Sequence, residues 1–180
     1  DTNNVANTDD GNTITVSETG SITTGKGDLA VGIYNEGASN KTTLSGSINT
    51  EGKFAAGIHN EGMDADTDTN DLNETTVTLS GRIKTTGDGA FGIYNEGNTN
   101  TTTVSGRIET TGARATLDST AYGAYGIYNE GNKNKTSISG SIETTGRFGH
   151  GIYNEGASNK TNLSGSIETG GTNATGIYNY

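Results

Sequence analysis

The 180-residue chain has no cysteine, no proline and no tryptophan, and only 28% of it is hydrophobic. Without cysteine there is no disulfide framework and no thiolate metal site, which leaves the redox compartment open. No apolar run approaches the roughly 18 residues that cross a bilayer, and no basic-then-apolar leader opens the sequence, so no segment is expected to insert into a membrane. Positive charge is scarce as well: 11 Lys and Arg stand against 21 Asp and Glu, a formal net charge of −10. Nucleic acid, whose phosphates demand a basic face, is excluded as a partner on that ground. So little apolar content could mean disorder, but disordered chains lack regular apolar positions. Here nearly every Ile, Leu and Val falls at a fixed place in a repeat.

The repeat is written around "GIYNEG". Copies begin at Gly32, Gly57 (as "GIHNEG"), Gly92, Gly126, Gly151 and Gly176 (as "GIYNY"), in steps of 25, 35, 34, 25 and 25, and residues 32–48 recur at 151–167 with one change. The unit is therefore 25 residues, with two insertions, at 63–73 and 113–121. A worn copy opens the chain, aligning Val5 with Ile33, Asn7 with Asn35, Asn12 with Asn40 and Val16 with Leu44. Residues 1–180 form a single repeat domain.

Within a unit, "TTLSGSINT" alternates: Thr42, Leu44, Gly46, Ile48 and Thr50 point one way, Thr43, Ser45, Ser47 and Asn49 the other. A period of two specifies strand, and dense Gly, Thr, Ser and Asn disfavour helix. Such a unit cannot bury its few apolar side chains alone, but stacked copies bury them in shared columns. The fold class is all-β: a right-handed parallel β-solenoid, or β-helix, of about six coils with two loop insertions, its hand set by the crossover rule. The expected inward columns are Ile33, Ile58, Ile93, Ile127, Ile152 and Ile177; Leu44, Leu79, Val104, Ile138 and Leu163; and Ile48, Ile83, Ile108, Ile142 and Ile167. A small-residue column of Ala30, Ala55, Ala90, Ala124, Gly149 and Ala174 joins them, and Asn35, Asn60, Asn95, Asn129, Asn154 and Asn179 are expected to form an amide ladder.

The pattern "LSGSIxTxGxxAxGIYNEG" resembles the repeats in passenger regions of bacterial autotransporters and related surface β-helix adhesins, over essentially the whole chain. The resemblance implies a secreted, surface-exposed fibre or adhesin, and hence an extracellular, cell-surface location.

Four features are candidates for chemistry. The first insertion places Asp64, Asp66, Asp68, Asn70, Asp71 and Glu74 together. Carboxylates at alternate positions suit a hard cation with six to eight oxygen ligands, so calcium is the one cofactor indicated. The competing reading is an acidic solvated loop. Glu36, Glu61, Glu96, Glu130 and Glu155 should stack as a like-charge column, either a stripe that splays into solvent or is offset by Lys41, Lys135 and Lys160, or one bridged by cations or met by a basic partner. Tyr34, His59, Tyr94, Tyr128, Tyr153 and Tyr178 should form an outward aromatic stripe, which either binds sugar rings or a second fibre, or reflects strand propensity and self-stacking. Seven sequons, at Asn40, Asn73, Asn100, Asn134, Asn159, Asn162 and Asn173, are either glycosylation sites or turn asparagines ahead of an inward Thr.

The charges repeat by column instead of converging on one irregular cluster, so no enzymatic activity is expected. Two functions stand: a structural subunit of an extracellular filament, or an adhesin that binds a glycan or host protein through its Tyr column and loops. The chain opens at Asn4-Val5-Ala6-Asn7 and closes at Gly176-Ile177-Tyr178-Asn179, the same place in the unit. That phase leads us to expect end-to-end stacking on a further copy.

Overall fold

In the computed structural model the described residues are 5–62, 72–117 and 119–180. Strands β1 (Val5–Asn7), β2 (Thr13–Val16) and β3 (Ser21–Thr23) make the first coil, and β4 (Val31–Glu36), β5 (Lys41–Leu44) and β6 (Ser47–Thr50) the second. The third is β7 (Ala56–Glu61), β8 (Glu74–Val77) and β9 (Arg82–Thr85), and the fourth β10 (Phe91–Glu96), β11 (Thr101–Val104) and β12 (Arg107–Thr110). A hairpin, β13 (Ala115–Leu117) and β14 (Thr120–Tyr122), interrupts the chain before β15 (Tyr125–Glu130), β16 (Lys135–Ile138) and β17 (Ser141–Thr144). Strands β18 (Ile152–Glu155), β19 (Lys160–Leu163), β20 (Ser166–Thr169) and β21 (Ile177–Asn179) complete the series.

First, second and third strands of successive coils pair in parallel to give three sheets of seven, six and six strands, which are the walls of a solenoid. The core runs down the axis as columns: Ile33, Ile58, Ile93, Ile127 and Ile152 from the first wall, and Ile48, Ile83, Ile108 and Ile142 from the third, all essentially inaccessible. The amide ladder forms as expected. Each Nδ2 donates to the next Oδ1, from Asn7 to Asn35, Asn60, Asn95, Asn129, Asn154 and Asn179, at 2.7–3.2 Å. The same nitrogens donate to a Thr hydroxyl of their own coil, as in Asn35 to Thr42 and Asn95 to Thr102. The ladder amides are thereby bonded both along the axis and across it.

One column needs correction. The buried residue of the third coil is Val77, paired with Leu44 and Val104, while Leu79 is 81% exposed. Six positions separate Val77 from Ile83, where four separate Leu44 from Ile48. The two extra residues form a turn that carries Leu79 out at the corner. The first coil does the same between Val16 and Ile22.

The repeated Gly of "GIYN" has a packing cause. A Cβ on Gly92 would lie 2.4 Å from Ile108 Cγ2, and one on Gly126 would lie 2.3 Å from Ile142 Cγ2. The interior is so narrow there that only glycine lets the first wall approach the third. This Gly and the Ile after it both turn inward, so the strand's alternation slips by one, and the residue before the Gly faces out like the Tyr two places beyond it.

Candidate functional site

That slip makes an aromatic face two columns wide. Beside Tyr34, His59, Tyr94, Tyr128, Tyr153 and Tyr178 runs a second column of Val31, Ala56, Phe91, Tyr125 and His150. Along the first column the rings stack on their neighbours: His59 on Tyr94 at 4.5 Å, Tyr94 on Tyr128 at 5.1 Å, and Tyr153 on Tyr178 at 5.1 Å between centroids. Phe91 contacts Tyr94 and Tyr128, and Tyr125 stacks on Tyr153 at 5.1 Å. Each such pair contributes about 0.5–1.5 kcal/mol beyond burial. The stripe is thus partly consumed by its own stacking, and Tyr128 is only 4% exposed.

The second insertion covers the middle of this face. It forms the antiparallel hairpin of β13 and β14, and Tyr122 sets its ring edge-on to Phe54 and Phe91. Gly89, at φ +66°, makes room for the approach, since a Cβ there would meet the Phe54 ring at 2.7 Å and Ala115 at 3.2 Å. On one side of the hairpin lies a cavity of about 290 Å³, lined by Val31, Phe54, His59, Phe91, Leu117 and Tyr122 among others. On the other lies one of about 340 Å³, lined by Arg114, Tyr125, Phe148, His150, Tyr153 and Tyr178 among others. His150 accepts the Thr175 amide on Nδ1 at 3.0 Å, and burial holds its pKa below the ordinary value.

The carboxylate column runs alongside, and the aromatic column serves it. Tyr34 donates to Glu61, Tyr94 to Glu130 at 2.5 Å and Tyr128 to Glu155 at 2.7 Å, always one coil ahead. Burial first, and then the carboxylate each hydroxyl serves, pushes the pKa values of Tyr34, Tyr94 and Tyr128 far above that of an ordinary phenol. Burial likewise raises Tyr153 to about 12. Lysines do not supply the offset. Lys41 pairs instead with Glu74 at 3.1 Å, and among the described residues no ion pair joins Lys41, Lys135 or Lys160 to the Glu column.

The cluster expected for calcium is divided. Asp64, Asp66, Asp68, Asn70 and Asp71 lie outside the described residues. Glu74 belongs to β8, in register with Lys41 and Thr101. Asn73, placed within the insertion by sequence, belongs to the coil. It continues the column of Asn40, Asn100, Asn134 and Asn159, in which Asn73, Asn134 and Asn159 accept backbone amides of the preceding coil on Oδ1: Asn40 N–H to Asn73, Asn100 N–H to Asn134 and Asn134 N–H to Asn159, at 2.8–2.9 Å. Their Nδ2 groups donate to carbonyls such as Glu36 and Gly37. A glycan on any of those nitrogens would displace these bonds in the folded chain. Of the seven sequon asparagines, Asn162 and Asn173 are exposed.

Sequence inspection placed the first aromatic column but missed the second and the hairpin that roofs them both. The available signal was the Gly between Phe91 and Ile93, and its counterparts in the other coils, which marks a break in strict alternation. Comparison of the chain with protein-family models, curated proteins and solved structures finds no significant match.

Proposed function

We propose that this chain is an extracellular structural protein, a β-solenoid module of a cell-surface fibre whose coils continue by end-to-end stacking. What supports this reading is the strict register of the three ladders. Each coil offers its neighbour the same strand edges, the same Ile column and the same amide ladder, from Val5–Ile33 through Ile152–Ile177. Inner rungs such as Ile33 to Ile152 are buried by the coils on either side of them, so the same register suits the addition of one coil to another. Unpaired strand edges invite such addition. Light scattering and electron microscopy at rising concentration test it. Filaments that Ile177→Lys abolishes are expected. Monomers at the highest concentration, indifferent to that change, would refute stacking between copies.

A second reading, an adhesin that binds a surface glycan, is favoured by one observation: two cavities walled by aromatic rings on either side of the hairpin. Aromatic faces suit sugar rings. Glycan-array binding that survives Ile177→Lys and is lost on Tyr125→Ala would favour it over the filament.

A further inference from the structure

The aromatic column has a tyrosine at five rungs and a histidine at one, His59. At the tyrosine rungs Tyr34, Tyr94 and Tyr128, the hydroxyl reaches the carboxylate one coil ahead and makes a hydrogen bond. The imidazole is shorter. Its Nε2 stops 3.4 Å from Glu96 Oε2 and is buried with no hydrogen-bond partner. Glu61 stands on the same side, and one donor atom from each of His59, Glu61 and Glu96 lies within 4.8 Å of the others. The ring is fixed by its neighbours, stacked on Tyr94 and edge-on to Tyr34 at 5.3 Å.

A separation of 3.4 Å is too long for a sound hydrogen bond, but it matches another geometry. Metal–nitrogen and metal–oxygen bonds of about 2.0–2.2 Å set tetrahedrally place neighbouring ligand atoms about 3.3–3.6 Å apart. We propose that His59 Nε2 and the carboxylates of Glu61 and Glu96 bind a divalent transition-metal ion of the zinc type, with water in the fourth position. Imidazole with two carboxylates suits zinc and its first-row neighbours, whereas calcium takes oxygen ligands alone. Tyr34 completes the arrangement: its hydroxyl occupies Glu61 Oε2, which orients that carboxylate and leaves Oε1 for the ion. The ion would bridge two coils at a rung where no tyrosine hydroxyl does.

The test is titration of the full chain with Zn²⁺ by calorimetry, and with Co²⁺ by visible absorption. His59→Tyr is the informative variant because tyrosine is the residue of the column's other rungs, so the fold is expected to accept it. One ion per chain is expected. His59→Tyr should weaken binding by more than about 100-fold and Tyr34→Phe, an outer partner, by about tenfold, while His150→Phe leaves binding unchanged. Absence of zinc binding by the parent chain would overturn the proposal. So would binding that persists in His59→Tyr, or binding that moves with Asp66→Ala instead and thereby places the ion in the acidic loop.

Discussion

Replacing Asn95 by alanine tests whether the interior amide ladder holds the coils together or merely fills space. Asn95 is buried, accepts Asn60 Nδ2 at 2.7 Å, and donates to Asn129 Oδ1 at 2.7 Å and to Thr102 Oγ1 at 3.0 Å. Truncation removes three hydrogen bonds at once. Asn60 Nδ2 keeps Thr75 as an acceptor, and the Thr102 hydroxyl can rotate. Asn129 Oδ1, however, is left buried without its donor, at a cost of about 1–3 kcal/mol, and the remaining lost bonds cost about 0.5–1.5 kcal/mol each. The expected loss is about 2–6 kcal/mol. Asn179→Ala is the internal control, because it deletes a single acceptor at the last rung, with its side chain exposed, and should cost about 1 kcal/mol. Urea denaturation followed by far-ultraviolet circular dichroism measures both, with hydrogen exchange at the flanking coils to show whether unfolding stays cooperative. If the two variants lose equal stability within about 0.5 kcal/mol, the ladder is not the source of coil-to-coil cohesion.

Gly92→Ala should cost about 1–3 kcal/mol by overpacking, because the added Cβ meets Ile108 Cγ2 at 2.4 Å and the Gly126 carbonyl at 2.5 Å. Gly25→Ala, where nothing lies within 4 Å of the new carbon, should be neutral or slightly stabilising in the same melts. The raised tyrosines predict alkaline lability: the folded chain holds protons that the unfolded chain releases near pH 10. Their contribution is complete below that pH and declines above it. Tyrosinate absorbance of Tyr34, Tyr94 and Tyr128 should therefore rise together with loss of the strand signal, and ionisation near pH 10 in an intact fold would contradict the assignment.

Much of this architecture is legible in the sequence because a solenoid repeats its constraints. The spacing of "GIYN" gives the phase of the Ile and Asn columns, and the parallel registers follow it rung by rung. Legibility fails where coils differ in length at a corner. Counting backwards from Gly92 puts Leu79 in the core, whereas the hydrophobic face requires Val77, since extra residues are absorbed cheaply in a turn and expensively in a wall. The sequons mislead for a related reason. Asn-X-Thr is the grammar of a buried corner here, with Asn40 bonded to Asn73 and Thr42 inward, so a modification motif and a packing motif coincide. The hairpin was hidden because its antiparallel pairing is local and owes nothing to the repeat.

The carboxylate column shows why the repeat is written as "IYNE" and not as its parts. Stacked carboxylates about 5 Å apart repel by roughly 0.8 kcal/mol per neighbouring pair in water. A hydrogen bond to a charged acceptor contributes about 1.5–3 kcal/mol, so one tyrosine hydroxyl from the preceding coil more than offsets one neighbour. The short bonds of this link run between coils, from Tyr94 to Glu130 and from Tyr128 to Glu155. Asn, between them, makes its shortest side-chain bonds across the same gap, from Asn95 to Asn129 and from Asn129 to Asn154. Ile completes the set by packing on the Ile of the adjacent rung. Core, inner ladder and outer ladder therefore all depend on a neighbouring copy in register. Where His59 stands in place of Tyr the outer link alone is shortened, and Nε2, without a hydrogen bond, lies 3.4 Å from Glu96 Oε2 and near the Glu61 carboxylate.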